Sequence, residues 1–283
     1  MNYFGENNQK KIFFKTFSKD LLKRYNLKKE DYIKNLNQNF NENIVDLNEI
    51  LVISQPIILK EIAERYLKVG IDFIGTLSEK GNFDFLKNFN LEDLAYDINF
   101  NASKIIRELT VKYSTLNLKH KRYTVGCIED TEKNKNNTDI YLEQLKTLIS
   151  GKSDLIYLKS FNETDKLNDL LSKIDNLMIK RNKEIDLIIC FDLDEKIKNF
   201  EKNCISLSNT NIIATGISIE ENLIENIKDY SYSYISLSIE NYSKVDKICD
   251  LIKNNNEIRI INLHNGFIPD SIEKIIHNVQ NNL

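Results

Sequence analysis

The sequence predicts an α/β fold in one domain, a TIM (β/α)8 barrel in which eight strands alternate with eight helices. Three observations lead to this prediction. Short apolar runs rich in β-branched and aromatic residues alternate with longer segments of helical period, as in repeated β-α units. The 283 residues, 41% of them hydrophobic, suffice for one barrel-sized core. No Pro-rich or Ser-rich linker divides the chain, so the predicted domain is the whole of 1–283.

The strands are predicted where four to six residues form a nearly continuous apolar run. Such continuity indicates burial on both faces, which is typical of a parallel sheet covered by helices. In chain order, the predicted strands are Lys11–Lys15, Ile71–Gly75, Thr124–Ile128, Leu155–Leu158, Asp186–Phe191, Asn211–Ala214, Tyr234–Leu237 and Ile258–Leu263.

The helices are predicted from apolar stripes with helical spacing. In 56–69, Ile58, Ile62 and Tyr66 recur every four residues, and 91–109 contains a similar stripe. Each stripe gives its helix one apolar face that can cover the sheet. The remaining predicted helices are 138–150, 163–180, 194–203, 219–229, 241–255 and 269–280.

Two polar segments interrupt this alternation. Segment 16–47 places a basic helical piece and an Asn-rich stretch between the first strand and its helix, and 129–138 is a polar loop. Both are expected at the carboxyl-terminal mouth of the barrel, where barrel enzymes carry their chemistry. The lysine cluster in 21–34 leaves an interaction role open, although neighbouring acidic residues balance its charge.

Composition and charge exclude several classes of protein. The 39 Lys+Arg and 42 Asp+Glu give a formal charge of −3, without the basic excess of a nucleic-acid-binding domain. The first residues lack the layout of a secretory signal, and no stretch reaches the ~18 apolar residues of a membrane span. The four cysteines contain no pair with chelating spacing and indicate reduced thiols. We therefore expect a cytoplasmic protein that binds neither nucleic acid nor membranes.

A family resemblance becomes visible at 48–76, NEILVISQPIILKEIAERYLKVGIDFIGT. This string is similar to the pattern N-D-x-L-x-L-T-x-P, followed by Y-L-x-A-G-A-D and I-x-T-N-T-F. Further matches follow in the same order at 91–107, 125–131, 141–155 and 261–272. Together they resemble the homocysteine S-methyltransferase domain that opens cobalamin-dependent methionine synthase. The resemblance covers nearly the whole chain and implies a TIM barrel, in agreement with the strand count.

The resemblance also implies a zinc site, because that family holds Zn2+ with three thiolates that activate the homocysteine sulfur. The ligand positions align here with Thr215, in ATGIS, and with the adjacent His264 and Asn265. Histidine can bind zinc, whereas the neutral side chains of Thr and Asn are poor zinc ligands. We expect no cofactor, with zinc only if the chemistry of the family persists.

The positions that hold the amino-acid substrate in the family are changed as well. The family's D-G-A-M-G-T aligns with KTFSKD after the first strand, where both glycines are lost. Two acidic residues of the family align with Gly75 and Lys159. A Gly-Pro pair aligns with Glu129 and Asp130, which we expect to pair with Lys159 or Lys15 across the mouth.

We interpret the chain as a degenerate homocysteine S-methyltransferase-like barrel, a pseudoenzyme that serves as a non-catalytic binding or regulatory module. In this interpretation Phe17 and an ion pair of Lys159 plug the mouth. Two further hypotheses stay open: an active methyltransferase, as the homocysteine-binding subunit of a methionine synthase, and a barrel enzyme with changed chemistry. The resemblance implies separate corrinoid or methionine synthase modules as partners. For changed chemistry, the catalytic candidates are His264, Lys159, Glu129 and Asp130.

Overall fold

Eight parallel strands close into a barrel, each paired with its neighbours along the chain and the last paired with the first. The computed structural model describes residues 3–4, 10–15, 24–34, 36, 42–131, 137–192, 194–219, 232–238, 245–264 and 267–280. The predicted TIM-barrel class is therefore confirmed. The strands are β1 (Lys11–Phe14), β2 (Phe73–Gly75), β3 (Tyr123–Glu129), β4 (Leu155–Lys159), β5 (Ile185–Phe191), β6 (Thr210–Ile219), β7 (Tyr234–Ser238) and β8 (Ile260–His264).

Helices surround the barrel and bury their apolar stripes against it. Within the described ranges, no helix is both long enough and apolar enough to cross a bilayer. The α-helices are α1 (Lys29–Ile33), α2 (Leu51–Ser54), α3 (Pro56–Lys68), α4 (Phe83–Leu86), α5 (Ala95–Leu116), α6 (Asp139–Ser150), α7 (Thr164–Arg181), α8 (Asp194–Asn203), α9 (Val245–Asn254) and α10 (Pro269–Gln280).

The predicted elements are all found where they fall on described residues, with some changes of length. β6 is ten residues long, whereas the sequence predicted only Asn211–Ala214. The helix predicted from 91 begins at Ala95, after a 3-10 turn at Glu92–Leu94, and continues to Leu116. The helix predicted at 219–229 lies outside the described residues except at its first position, which belongs to β6.

The inside of the barrel is a packed core of aromatic, aliphatic and thiol side chains contributed by every strand. The rings of Phe13 and Tyr157 meet edge to face, with centroids 5.5 Å apart. Tyr3 closes the amino-terminal end: its hydroxyl donates to Asp186 Oδ2 at 2.7 Å, and its ring packs on Tyr123. Because this core fills the lower barrel, polar side chains at the mouth lie above a sealed floor.

A buried carboxylate joins β1 to the segment that precedes β2. Asp72 accepts hydrogen bonds from the Ile12 N–H at 2.9 Å, from Lys11 Nζ at 3.0 Å and from His120 Nε2 at 2.9 Å. Burial alone raises the pKa of Asp72, but the His120 hydrogen bond and the Lys11 charge outweigh it, so the pKa lies below its ordinary value. The ionised carboxylate therefore stabilises the fold.

We expect Asp72→Asn to lower the free energy of unfolding at neutral pH by about 2–3 kcal/mol, because three donors lose a charged acceptor. The folded-state pKa is depressed, so this contribution is present above the unfolded-state pKa of ~3.9 and is lost as the pH falls through the folded-state pKa. Urea denaturation between neutral pH and about pH 3 measures both effects. Asp97→Asn, which changes an exposed carboxylate of α5, is the control. Equal stability of wild type and Asp72→Asn would show that this carboxylate does not have the assigned role.

Candidate functional site

The carboxyl-terminal ends of the strands form the mouth of the barrel. Strand register shows which residues face its interior, because paired residues of parallel strands share a face. Cys190 of β5 belongs to the interior core, and its register partner on β4 is Lys159. On β8, Asn262 and His264 follow the interior residue Ile260 at intervals of two. These side chains therefore lie on the inner face of the strands.

Two ion pairs lie at the mouth. Lys159 Nζ is 2.8 Å from Glu129 Oε1, and Lys15 Nζ is 2.8 Å from Glu79 Oε1. The first pair joins register partners on β4 and β3, as expected from the sequence. The sequence does not predict the second pair, because Glu79 lies in the loop GTLSEKG, where a charged residue is typical of a solvated turn. The charges contributed by this half of the mouth therefore neutralise one another.

The expectation that Asp130 pairs with Lys159 or Lys15 is wrong. Adjacent residues along an extended chain face opposite sides, so Asp130 points away from the interior that Glu129 faces. Both Asp130 oxygens accept from Lys166 Nζ of α7, at 2.8 and 2.9 Å, and Oδ1 also accepts from the Tyr141 hydroxyl at 2.7 Å. Asp130 is therefore part of a buried contact between the barrel and its helices.

Each of the two ion pairs contains one group whose pKa is shifted, Lys159 in the first and Glu79 in the second. Burial lowers the pKa of Lys159, but Glu79 and Glu129 outweigh this effect and raise it above its ordinary value. Burial raises the pKa of Glu79, but Lys15 and Lys159 outweigh this effect and lower it. Lys159 is therefore an ammonium and Glu79 a carboxylate at neutral pH, and neither has a pKa tuned for proton transfer.

A third polar cluster follows β4 and β5. Ser160 Oγ donates to Asp192 Oδ1 at 2.9 Å, and Asn162 Nδ2 donates to Asp192 Oδ2. The Asp192 N–H donates back to Asn162 Oδ1 at 3.1 Å. Both oxygens of this carboxylate are thus engaged by neighbouring side chains.

Asn262 is a fully buried amide that sequence reasoning did not single out. Its Oδ1 accepts from the Lys15 N–H at 3.0 Å, and its Nδ2 donates to Ser236 Oγ at 2.9 Å. These bonds connect β8 with β7 and with the residue after β1. A single polar residue within the strand run IINL is the signal that indicates such an internal polar contact.

The residue aligned with the first zinc ligand lies on the outer face of its strand. Thr215 is in register with Ile189 of β5, which belongs to the core between barrel and helices. The inward positions at this end of β6 are Gly216, paired with Cys190, and Ser218 two residues further on. Neither Gly216 nor Ser218 is a zinc ligand of useful strength.

The other two aligned positions are at the end of β8. His264 is the last residue of this strand and is in register with Ser238 of β7, on the inner face. Asn265 lies outside the described residues, as does Phe17, the predicted plug. His264 is therefore the one aligned residue that the described ranges place facing the mouth.

All four cysteines are described, and their thiols are free. Cys127 and Cys190 belong to the barrel interior, Cys204 follows α8, and Cys249 lies on α9. Burial raises the pKa of each thiol, that of Cys190 to about 11. They are neutral thiols at physiological pH, whereas zinc binds thiolates. Over the described ranges, no three His, Cys, Asp or Glu side chains are grouped so as to hold a metal ion.

The barrel is similar to one protein family and to solved structures of known proteins. A family model described as homocysteine S-methyltransferase matches residues 20–271. The structure is similar to the metallated form of the homocysteine methyltransferase MmuM from Escherichia coli, with a TM-score of 0.64 at 10% identity over 95% of this chain and 96% of that chain. The apo form of MmuM gives a TM-score of 0.63 at 8% identity, over 97% and 98% of the two chains. At such low identity, the structural likeness shows a shared fold.

Proposed function

Because the chain belongs to the homocysteine S-methyltransferase family, we propose that its barrel has lost zinc-dependent methyl transfer and works as a non-catalytic binding or regulatory module. The observation that carries this proposal is the set of inward residues at the mouth ends of β6 and β8. These inward residues are Gly216, Ser218, Asn262 and His264, and none of them is a cysteine.

These residues do not fit a thiolate zinc site. His264 offers one imidazole nitrogen, Gly216 offers no side chain, and Ser218 offers a neutral hydroxyl. The amide of Asn262 is already bonded to the Lys15 N–H and to Ser236. A shift of the alignment by a few residues supplies no thiolate, because neither strand carries a cysteine anywhere.

The residues at the positions that hold the amino-acid substrate in the family also support the proposal. At Gly75, where the family resemblance places an acidic residue, an added Cβ would lie 2.8 Å from Cys127 Sγ and 3.4 Å from the Phe13 ring. A carboxylate at this position would require Cys127 to move. Across the mouth, Lys159 stands where the family resemblance places a second acid, so this position offers no carboxylate to the ammonium group of the substrate.

The charge state of the mouth favours binding over catalysis. A lysine that acts as a base or nucleophile needs a lowered pKa, and Lys159 has a raised one. Asp192 is held by Ser160 and Asn162, and Asp130 lies behind the barrel wall. Glu129 is held by Lys159 at 2.8 Å, so a barrel enzyme with changed chemistry would depend most on His264.

The cellular setting is part of the same proposal. We place the protein in the cytoplasm, which its free thiols support. As partners we propose separate corrinoid or other methionine synthase modules, because the family resemblance is to the barrel that works with them. Family membership also favours a second function, active methyl transfer to homocysteine, which the following experiment distinguishes.

Titration calorimetry with L-homocysteine, with and without added zinc chloride, tests the proposal. We expect no saturable binding up to about 1 mM in either condition, because the site lacks a sulfur-binding metal and the mouth carboxylates Glu79 and Glu129 are already paired with lysines. Homocysteine methyltransferase MmuM from Escherichia coli is the positive control for the titration. Zinc-dependent micromolar binding accompanied by proton release would overturn the proposal and support the active methyltransferase.

A further inference from the structure

Exposed apolar side chains are concentrated on α5. Among the described residues, nine large hydrophobic side chains are exposed, and four of them belong to α5 or to the turn that follows it. Those four are Tyr96 at 57%, Val111 at 47%, Leu116 at 72% and Leu118 at 86%. Single exposed apolar residues are normal on a protein surface, but four along one helix are typical of a contact surface.

The two ends of α5 differ in shape. Beside its first turns lies a hollow of about 520 Å3, bounded by α6 and by residues 81–83, with the rings of Tyr96 and Phe83 in its wall. At the other end, Leu116 is the last helical residue and Leu118 lies in the following turn, and both side chains extend into solvent. The helix therefore has a hollow at its start and an apolar projection at its end.

The two ends of α5 also differ in charge. Glu92 and Asp93 line the hollow and have no ion pair within the described ranges. Lys119 and Lys121 follow the projection, are exposed, and likewise lack a carboxylate partner in the described part of the chain. The helix dipole favours acidic residues at the start of a helix and basic residues at its end. It explains neither the exposed leucines nor the hollow, which lie at opposite ends of the same helix.

We propose that α5 is a self-association surface, on which two copies of this chain pair their α5 helices antiparallel about a twofold axis. Antiparallel pairing sets the acidic, hollow start of each helix against the basic, projecting end of the other, so one complementary contact is made twice, as in an isologous dimer. The exposed leucines of each copy then fill the hollow of the other, and Asp93 lies opposite Lys119 of the partner subunit. Because α5 lies on the outside of the barrel, this proposal is independent of the chemistry at the mouth.

The middle of the helix supports the same register. α5 has 22 residues and is therefore about 33 Å long, enough for separate contacts at its two ends. In an antiparallel pair, residues face each other when their numbers have a constant sum, so the register that sets Asp93 opposite Lys119 also sets Lys104 opposite Glu108. Lys104 is exposed and has no ion pair within the described ranges, and Glu108 is 50% exposed beside Lys60. Opposite charges therefore meet along the whole pair of helices.

Sedimentation velocity of the full chain between about 1 and about 300 μM tests the self-association. The contact of one helix with its flanks is small beside a permanent interface, so we expect a reversible dimer with a Kd in the micromolar range. The Kd should rise when sodium chloride is raised from about 50 to about 500 mM, because salt screens exposed charges. A chain that stays monomeric at every concentration, or that assembles beyond the dimer, would overturn the proposal.

Charge reversal locates the contact. Asp93→Lys and Lys119→Glu should each weaken the homodimer at least about tenfold, because each variant brings like charges together twice. An equimolar mixture of the two variants should dimerise within about threefold of wild type, because opposite charges meet again at both contacts. Recovery in the mixture also shows that both variants are folded. A mixture that does not recover, or a single variant that dimerises like wild type, would contradict the assigned surface.

The apolar part of the contact has its own variant and control. Leu116→Ser combined with Leu118→Ser should weaken the dimer at least about tenfold, because the partner's hollow loses the side chains that fill it. Ile179→Ser changes an apolar side chain of α7 that is 48% exposed, and should leave the Kd unchanged. Equal Kd values for the leucine double variant and Ile179→Ser would show that the end of α5 is not in the contact.

Discussion

Lys166→Met is expected to lower the free energy of unfolding by about 3–5 kcal/mol, although the changed residue lies outside the barrel mouth. Lys166 and Asp130 are 1% and 4% exposed, and both carboxylate oxygens accept from the ammonium group. Methionine matches the apolar stem and removes the charge. The variant therefore leaves a desolvated carboxylate without its counter-ion, which is the costly way to break a buried pair. Urea denaturation measures the loss.

Two controls separate the buried charge from general effects of the substitution. Lys60→Met breaks the surface pair with Glu108, whose members are 44% and 50% exposed, and should cost no more than about 1 kcal/mol. Lys166→Met combined with Asp130→Asn should be more stable than Lys166→Met alone, because the unpaired charge is gone. A loss in Lys166→Met as small as that in Lys60→Met would contradict the role given to this pair.

Gly216→Ala is expected to destabilise the fold by about 3 kcal/mol or more, because β6 and β7 are in contact through this residue. A Cβ at Gly216 would lie 1.7 Å from Tyr234 O and 2.5 Å from the carbonyl carbon of the same residue. The Tyr234 backbone cannot move aside as a flexible side chain can, so β6 and β7 would have to separate. Denaturant unfolding of the variant measures the cost, and loss of cooperative unfolding is the extreme form of the expected result.

Ser218→Ala is the matched control for Gly216→Ala. It lies two residues further along the same inward face of β6 and removes only a partly exposed hydroxyl. We expect a change within about 0.5–1 kcal/mol. Equal stability of Gly216→Ala and Ser218→Ala would contradict the close contact between Gly216 of β6 and the Tyr234 backbone.

The order and number of the strands can be predicted from the sequence because each barrel strand is buried on both faces and reads as an apolar run. The same criterion underestimates β6. Its second half, TGISI, has small and polar residues on the face toward the mouth, where the interior is no longer apolar. β3 is likewise predicted one residue too short at its end, because Glu129 is charged and yet belongs to the strand.

Because β3 is predicted too short, the ion pair predicted for Asp130 is wrong. Once Glu129 is counted as a strand residue, alternation places its neighbour on the opposite face, toward Lys166. Glu79 could not be found in this way, because it is brought to Lys15 by a loop whose path has no periodic signal.

The proposed loss of zinc chemistry concerns the mouth of this barrel. The family's barrel persists, with an aromatic floor and helices packed against its outside, while Lys159 pairs with Glu129 and Lys15 pairs with Glu79. The four thiols are protonated, and the two on the inner face, Cys127 and Cys190, are buried in the barrel core. Under the proposed function, a thiol substrate would find no metal ion at the mouth to lower its pKa.

The zinc content of the purified protein, measured by inductively coupled plasma mass spectrometry after loading with zinc chloride and exchange through a chelator column, is the most direct test of this claim. We predict far less than one zinc per chain, with the same residual amount in His264→Ala, because residual ions would come from exposed groups elsewhere. One tightly held zinc per chain that disappears in His264→Ala would place a metal at the mouth and contradict the account.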